Sequence, residues 1–409
     1  MSRKWLVFLA VGFAQTANAQ ETLSFAEAVS RAGASGPTIE ARRASVEAAE
    51  QSVGPAGRLP DPQLTVELSD VPVTGPNAGS LTRDDFTMQR VGVMQDVPNR
   101  SERRARTAVA TAEADRAKAG LSVASLDARI GAAQAWIALH FAQRRLAIVD
   151  RLEQESRLRS ETIRGRFGAG GASVDETVVA AIDASQADDR RAEAMAQIVS
   201  ARAVLRRWIG EAADEPIASE PPTFRIDSVA LRDRLQRHPS IGAFAAERSL
   251  AEANVALAQA DTRPDWAWEV SYGRRDPAFG DLASVGLRIG LPLFQGSRQK
   301  PIVAARRADI GRVQAEREAT VRERAAVLEQ QLTNYAALEA NVGRAKDTRL
   351  PLARQRSAAA LGAHGAGAAS VVQLIAARTD ELEAEIDLLD LEERLALVGA
   401  ALTLEYGDN

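Results

Sequence analysis

The sequence contains no cysteine among its 409 residues, and this absence already narrows what the chain can be. Without cysteine the chain forms no disulfide bond and has no N-terminal cysteine that could carry a lipid anchor. Beyond the N-terminal segment, no run approaches the 18 consecutive apolar residues that a transmembrane helix needs. If the mature chain enters a membrane, we therefore expect it to do so as a closed β-barrel.

Aromatic residues are also scarce, at 4% of the chain, and neither sign of charge dominates. The 51 basic and 55 acidic residues are interspersed and leave a net charge of −4, so no basic face marks a nucleic-acid-binding protein. Apolar residues make up 45% of the chain, which is typical of a folded protein. Abundant alanine and arginine favour long helices with exposed charged faces.

The sequence lacks the motifs of an enzyme or a metalloprotein. Its three histidines, His140, His238 and His364, lie about 100 residues apart, and none has a second ligand at the helical spacing of metal sites. We expect His238 to start a helix, His140 to lie on a helix surface or in packing, and His364 to pack in a turn. Neither a P-loop ending nor a Gly-x-Ser-x-Gly elbow occurs. We therefore predict no catalytic site, no cofactor and no bound metal.

The N-terminal segment has the features of a secretory signal peptide. Arg3 and Lys4 precede an apolar run over residues 5–14, and Ala17 and Ala19 supply the small residues of a cleavage site. The apolar run is too short to span a bilayer. We predict that residues 1–19 form the signal peptide and that cleavage follows Ala19.

The remaining chain is interpreted as two copies of one unit, residues 20–215 and 216–409. Landmarks recur at an offset of 202, since Gly36-Pro37 returns as His238-Pro239 and Pro62 returns as Pro264. The linker over residues 210–224 contains three prolines and joins the halves.

Each half predicts the same order of elements: a helix, two strands with period-two polarity, a very long helix, a glycine-rich turn and a return helix. At 1.5 Å per residue, the long helices would each reach about 90 to 100 Å. The predicted ranges in the first half are 38–53, 63–69, 86–97, 101–166 and 174–209. Those in the second half are 240–260, 266–272, 282–294, 297–361 and 371–404.

Two kinds of turn connect these elements. The strand-to-helix turns contain Pro98 and Arg100 in the first half, and Pro292 and Gly296 in the second. The glycine-rich turns between helices lie at an offset of 197, and glycine allows the sharp reversal between antiparallel helices. Their marker residues are Phe167, Gly168 and Gly170 in the first turn, and His364, Gly365 and Gly367 in the second.

Four strands in one chain cannot close a barrel, and an open sheet would leave two unpaired edges. Such edges are not tolerated in lipid. Pooling the strands of three chains gives twelve, an even number within the known range of outer-membrane barrels. A water-soluble pair of hairpins packed on helices stays open as an alternative, and a fibrous bundle would explain the helices alone.

At two stretches the sequence resembles the TolC family of outer-membrane efflux proteins. Residues 285–296 (VGLRIGLPLFQG) are similar to the family's second-repeat strand leading into its long helix, and residues 371–377 (VVQLIAA) resemble its periplasmic-tip motif. Residues 59–64 (LPDPQL) and 88–100 (MQRVGVMQDVPNR) resemble the heavy-metal, CzcC-like branch.

The resemblance implies an α+β membrane protein: a homotrimer with a twelve-stranded barrel in outer-membrane lipid and a helical tunnel in the periplasm of a Gram-negative bacterium. It implies a periplasmic adaptor protein docked at the glycine turns and an inner-membrane pump of the RND type, with passive conduction of solutes that include metal cations. The family's aperture carboxylates align with Gln373 and Ala376, so Asp380 and Glu381 become substitute candidates for the aperture. A soluble periplasmic coiled-coil adaptor or scaffold is the alternative function.

Overall fold

The computed structural model describes residues 22–407. The predicted signal peptide, including Ala17 and Ala19, lies outside these residues. Within the described range, no helix combines the length and the apolar character that crossing a membrane would require.

Nine α-helices and four strands make up the described chain. The first half contains α1 (Phe25–Ala34), α2 (Pro37–Ala56), β1 (Gln63–Ser69), β2 (Met88–Val97), α3 (Arg100–Gly168) and α4 (Val174–Ile209). The second contains α5 (Ser228–Arg234), α6 (Pro239–Ala260), β3 (Asp265–Arg274), β4 (Leu282–Gly290), α7 (Gln299–Arg344), α8 (Leu350–Gly365) and α9 (Val371–Tyr406).

Most predicted elements are confirmed within two or three residues. β1 and α4 have the predicted bounds, and the first long helix, α3, runs for 69 residues. Proline occupies the first turn of both α2 and α6, where its missing N–H costs no helical hydrogen bond. The helix, hairpin, long helix and return helix therefore occur in the predicted order in each half of the sequence.

Three predicted elements differ in detail from the structure, each for an identifiable reason. The strand predicted over 282–294 ends at Gly290, because Pro292 has no N–H to donate and turns follow from Leu293. The strand predicted from residue 86 begins at Met88, since the backbone N–H of Phe86 bonds Asp84 instead. The second long helix contains a π-helical turn at Ala345–Arg349 between α7 and α8.

Two short helices and one β-bridge are present in addition to the predicted elements. α1 and α5 were not predicted, and Leu23 forms an isolated parallel bridge with Ile217 in the proline-rich linker. The bridge is held by the Leu23 N–H on the Pro216 carbonyl at 2.8 Å. The partners are almost 200 residues apart, so no local pattern could have indicated the pair.

The four strands form one antiparallel sheet in the order β1-β2-β3-β4. Gly92 of β2 lies opposite Thr65 of β1 and Ser271 of β3. A Cβ at Gly92 would lie 2.8 Å from the Ser271 side chain, so this position needs glycine. The sheet therefore joins the two predicted hairpins through β2 and β3.

By contacts the chain divides into two compact units. Among the described residues, the first comprises 22–32, 131–224 and 336–400, and the second comprises 33–130, 225–335 and 401–407. Each unit combines segments from both predicted halves. The predicted boundaries 20–215 and 216–409 refer to the two sequence repeats and not to these two units. The assignment of the repeats stays a prediction.

The first unit is built around an aromatic core. Trp136 of α3 is fully buried, and its indole N–H donates to the Leu23 carbonyl at 3.1 Å. Phe25 meets its ring edge-on at 5.7 Å, and His140 stacks on it at 5.2 Å. These ring contacts pack α1 against α3, although aromatic residues are scarce in the chain as a whole.

The second unit contains the sheet, α2, α5, α6 and the ends of the long helices that adjoin the strands. Its most deeply buried side chains include the aliphatic Ile39, Leu328 and Leu402 and the aromatic Tyr406. His238, which is 4% exposed, caps α6 as predicted, because its Nδ1 accepts the backbone N–H of Ser240 at 3.2 Å. Burial, together with the smaller effect of nearby Arg324, lowers the pKa of His238 to about 4.

Candidate functional site

One face of the sheet is apolar and exposed; we call it the apolar face. The strand register places these side chains on the same side, and each of them is exposed. Val285 is 83% exposed and Val66 is 74% exposed. The apolar members of this face are Leu64, Val66, Leu68, Val91, Val93, Trp266, Trp268, Val270, Tyr272, Val285, Leu287 and Ile289, and Gln89, Gln95 and Arg274 lie on the same side.

The opposite face is polar, and its central positions are the more sheltered ones; we call it the polar face. Ala267 and Ser271 are buried there, and Glu269 is half-buried between them. Arg90 lies opposite Glu67 and pairs with its carboxylate at 3.6 Å. The members of the polar face are Thr65, Glu67, Arg90, Gly92, Met94, Asp96, Asp265, Ala267, Glu269, Ser271, Ser284 and Arg288.

This polarity is the reverse of that in a water-soluble sheet. An antiparallel sheet in water packs its apolar side on a core and exposes its polar side. Here the apolar side chains are exposed on all four strands, and the polar side is sheltered only on the central strands β2 and β3. Apolar side chains on the outside are the pattern of strands with lipid outside and water inside.

The two outer strands of the sheet each have one neighbour. β1 pairs with β2 and β4 pairs with β3, so within the described residues the outer backbone edges of β1 and β4 have no strand beside them. An open edge of this kind is a template for pairing with another chain. Leu287 and Ile289 continue the apolar face right to the β4 edge.

The predicted strand-to-helix turns lie where the sheet meets the helices. Pro98 follows β2 directly and Arg100 is the first residue of α3. In the second turn, Pro292 follows β4, and Gly296 lies in the turn that precedes α7. A Cβ at Gly296 would meet nothing within 4 Å, and its φ is not positive, so neither crowding nor backbone conformation requires glycine there.

Asn99, which directly precedes Arg100, has a clear structural role. Its side-chain oxygen accepts the Glu102 N–H at 2.9 Å and caps α3. Its amide donates to the Ala260 carbonyl at 3.2 Å and to Asp265 at 2.9 Å. Asn99 therefore joins the start of α3 to the α6–β3 connection.

The first glycine-rich turn, between α3 and α4, contains Phe167, Gly168 and Gly170. Gly170 has a φ of +75°, and its N–H donates to the Phe167 carbonyl at 3.0 Å. Ser173 and Glu176 then form a reciprocal cap, with the Glu176 carboxylate accepting the Ser173 N–H at 2.7 Å. The bond from the Ser173 backbone is the main reason that the pKa of Glu176 is lowered.

The second glycine-rich turn, between α8 and α9, contains His364, Gly365 and Gly367. Gly367 also has a φ of +75°, and its N–H donates to the His364 carbonyl at 3.0 Å. His364 is exposed, and its Nδ1 lies 3.0 Å from the Ala369 carbonyl. The expectation that His364 packs in the turn was wrong, because the ring lies in solvent and bonds the backbone.

The three candidate aperture residues all have partners within the chain. Gln373 accepts the Ser370 N–H at 2.9 Å and returns its own N–H to the Ser370 hydroxyl at 3.3 Å, so it completes a cap like that of Glu176. Asp380 pairs with Arg356 at 2.5 Å, and Glu381 pairs with Arg354 at 3.6 Å. The structure places the three residues along the start of α9; their role at an aperture stays a prediction.

The helical hairpins share ion pairs that we did not single out from the sequence. Arg159–Asp183 at 2.7 Å recurs 197 residues later as Arg356–Asp380 at 2.5 Å. Arg157–Asp188 at 3.2 Å likewise recurs as Arg354–Glu385 at 3.0 Å. Comparing charged residues at the offset of the two glycine turns would have found both pairs.

Among residues 22–407, no three His, Asp or Glu side chains are grouped so as to hold a metal ion. His140 is 3% exposed and stacks in the aromatic core, so of the two expected placements packing is the correct one. Burial is the main cause of the lowered pKa of His140.

Comparison with known proteins assigns the family. The sequence profile described as "Outer membrane efflux protein" matches residues 28–211 and 230–407, so the chain belongs to the outer membrane efflux protein family. The family consists of transport channels and not of enzymes. Its profile matches both halves of the chain separately.

Individual relatives agree with this assignment. The cobalt-zinc-cadmium resistance protein CzcC of Cupriavidus metallidurans is 24% identical over 292 residues, which cover 70% of this chain and 67% of the relative. The structure of the outer membrane protein VceC of Vibrio cholerae superposes with a TM-score of 0.74 at 20% identity, covering 94% of this chain and 96% of VceC. The CmeC outer membrane channel of Campylobacter jejuni gives 0.77 at 12% identity, covering 94% and 85%. These structures share the fold of this chain.

Proposed function

We propose that three copies of this chain form an outer-membrane channel that passively conducts solutes out of the cell. The observation that carries the proposal is the reversed polarity of the sheet. An exposed apolar face with Val66 at 74% and Val285 at 83% exposure would be unfavourable in water and favourable against lipid. A soluble adaptor or scaffold would not need such a face.

The open edges of the sheet require that further copies of the chain complete it. Unpaired backbone groups of β1 and β4 are not tolerated in lipid, so β4 of one copy pairs with β1 of the next. Three copies give a closed barrel of twelve strands, with the apolar faces outside and the polar faces around a water-filled lumen. The long helices of the three copies form a tunnel through the periplasm.

Membership of the family supports the rest of the assembly. We infer that residues 1–19 direct export, that the mature chain inserts without a lipid anchor, and that a periplasmic adaptor docks at the turns containing Gly170 and Gly367. An inner-membrane pump of the RND type supplies the energy. Untwisting of the helices near Gln373, Asp380 and Glu381 opens the channel.

The cargo proposed is metal cations. The similarity to a cobalt-zinc-cadmium resistance protein supports this choice, and it extends over 292 residues. The channel itself needs no metal site to pass such ions, because passive conduction requires only a wide polar lumen. The pump and the adaptor then select the cargo.

A pair of neighbouring substitutions tests the barrel. Val285 and Ser284 are adjacent in β4 near the middle of the strand, and their side chains lie on the apolar and polar faces respectively. Val285→Arg places a charge in lipid at a cost of about 2 to 4 kcal/mol per chain, whereas Ser284→Arg places it in the lumen. We expect only Val285→Arg to remove the heat-modifiable trimer from the outer-membrane fraction.

Planar-bilayer conductance of the purified protein completes this test. Wild type and Ser284→Arg should both form ion-conducting pores. Equal tolerance of the two substitutions, or a wild-type protein that stays monomeric and water-soluble, would show that the sheet does not face lipid.

A further inference from the structure

The polar face of the sheet carries more negative than positive charge. Four carboxylates lie on it, against two guanidinium groups, so each chain contributes a net charge of −2 at neutral pH. The carboxylates belong to Glu67, Asp96, Asp265 and Glu269, and the guanidinium groups to Arg90 and Arg288.

The two arginines do not neutralise the carboxylates evenly. Arg90 pairs with Glu67 at 3.6 Å, so these two charges cancel locally. The Arg288 guanidinium contacts the thioether sulfur of Met94 at 3.4 Å and makes no ion pair within 4 Å among the described residues. Glu269 lies half-buried opposite Met94 and Gly286, with no cation within ion-pair distance in the described chain.

Further carboxylates crowd the end of the polar face where the sheet meets the helices. Asp265 starts β3, Asp261 lies just before it, and Glu102 stands in the first turn of α3. Burial raises the pKa of Glu102, and the neighbouring carboxylates of Asp265 and Asp261 raise it further, against the effect of Arg106. Carboxylates are therefore concentrated at this end of the sheet.

From these positions we propose that the polar face makes the channel cation-selective, with Glu269 as the principal selectivity residue and Arg288 opposing it. The inference rests on the proposed barrel, which turns the three polar faces into one lumen. Charges that line a water-filled lumen with low-dielectric walls concentrate counter-ions and exclude ions of like charge. Cations are then the charge class that the lumen of the barrel favours.

The two central side chains allow a test with opposite signs. Glu269→Gln removes an unpaired carboxylate with almost no change in side-chain size, and Arg288→Gln removes a guanidinium and leaves a shorter polar side chain. In a planar bilayer with a potassium chloride gradient, we expect the wild-type reversal potential to have the sign of a cation-selective pore. Glu269→Gln should lower the cation-to-anion permeability ratio by roughly twofold, and Arg288→Gln should raise it.

Glu47→Gln is the matched control. Glu47 lies exposed on α2, outside the sheet, and Glu47→Gln makes the same chemical change as Glu269→Gln at a different position. Its reversal potential should equal that of the wild type. Single-channel conductance and the trimer band confirm for each variant that the pore has formed.

The outcomes separate the selectivity from the barrel. Pores that form but show no cation preference, or that respond to Glu269→Gln and Arg288→Gln in the same direction, would overturn the selectivity and leave the channel intact. A wild-type protein that forms no pores would overturn the proposed channel and the selectivity together. A shift with Glu47→Gln as large as that with Glu269→Gln would assign the effect to overall charge instead of the lumen.

Discussion

The turn between α3 and α4 and the turn between α8 and α9 reverse two helical hairpins with the same backbone and different side chains. Gly170 and Gly367 have the same φ of +75°, and each is followed three residues later by a capping serine, Ser173 or Ser370. At the third position of the following helix, the reciprocal partner is Glu176 in one turn and Gln373 in the other.

The two turns share their backbone features and differ in their side chains. The left-handed glycine and the serine cap satisfy backbone groups that every helix end leaves open, so both turns keep them. The charge at the third position is not needed for the cap, because glutamine and glutamate both accept the serine N–H. The side chains that close the turn also differ, since Arg166 bonds the Gly171 carbonyl at 2.7 Å and His364 bonds that of Ala369 at 3.0 Å.

The largest effect is expected at the left-handed glycines. Gly367→Val forces a β-branched side chain into a φ of +75° and should cost about 1 to 3 kcal/mol locally. We expect loss of metal export from cells that carry pump and adaptor, while the trimer remains in the outer-membrane fraction. Gly170→Val should behave in the same way.

Gly365→Val is the matched control for the second turn. Gly365 is the last residue of α8, has no positive φ, and a Cβ there would meet nothing within 4 Å. Export should therefore survive this substitution. Loss of export with Gly365→Val but not with Gly367→Val would contradict the turn geometry; loss of the trimer with Gly367→Val would show that the turn matters for assembly.

A smaller difference is expected between the two recurring ion pairs. In Arg159–Asp183 the side chains are 21% and 34% exposed, whereas in Arg356–Asp380 they are 68% and 43% exposed. Solvent screens the second pair more, so a double-mutant cycle with glutamine and asparagine should give about 0.5 to 1 kcal/mol for the first pair and about 0 to 0.5 for the second.

The cycles are measured by chemical denaturation at low and high salt. Salt should reduce the coupling of Arg356–Asp380 more than that of Arg159–Asp183. A larger coupling energy for the exposed pair would mean that the two hairpins are not equivalent in their packing.

The smallest effect is a pH dependence that only one turn should show. The pKa of Glu176 is lowered by its bond from Ser173, so the cap contributes stability above the carboxyl's ordinary pKa of 4.5 and loses it as pH falls through the lowered value. Gln373 does not titrate. Hydrogen–deuterium exchange at acid pH, corrected for intrinsic rates, should increase at residues 173–177 relative to residues 370–374.

Glu176→Gln provides the control for this comparison. It converts the first cap into the chemical form of the second, and the two turns should then respond to pH alike. A persistent acid effect in Glu176→Gln would assign the change to another group near the first turn.

The sequence by itself determined the local structure, because helices, strands and turns depend on interactions between residues close in the chain. Alternating polarity predicted β1 with its observed bounds, and glycine followed by serine predicted the turns at Gly170 and Gly367. The strand beyond Gly290 was predicted too long, since the apolar run continues through Pro292 although the ladder cannot. The recurring ion pairs also lie at the offset of 197. From the sequence alone, however, their residues look like ordinary charges on a helix surface.

Only the tertiary structure decided which side of each element is sheltered and which distant groups meet. Alternation shows that Val270 and Ser271 point to opposite sides, but only the paired sheet shows that Ser271 is buried and Val270 is exposed. The burial of His140 against Trp136 and the bridge from Leu23 to Ile217 likewise join residues without any local signal. Such contacts depend on how separate segments of the chain pack together. A local sequence pattern carries no information about which distant residue will be the partner.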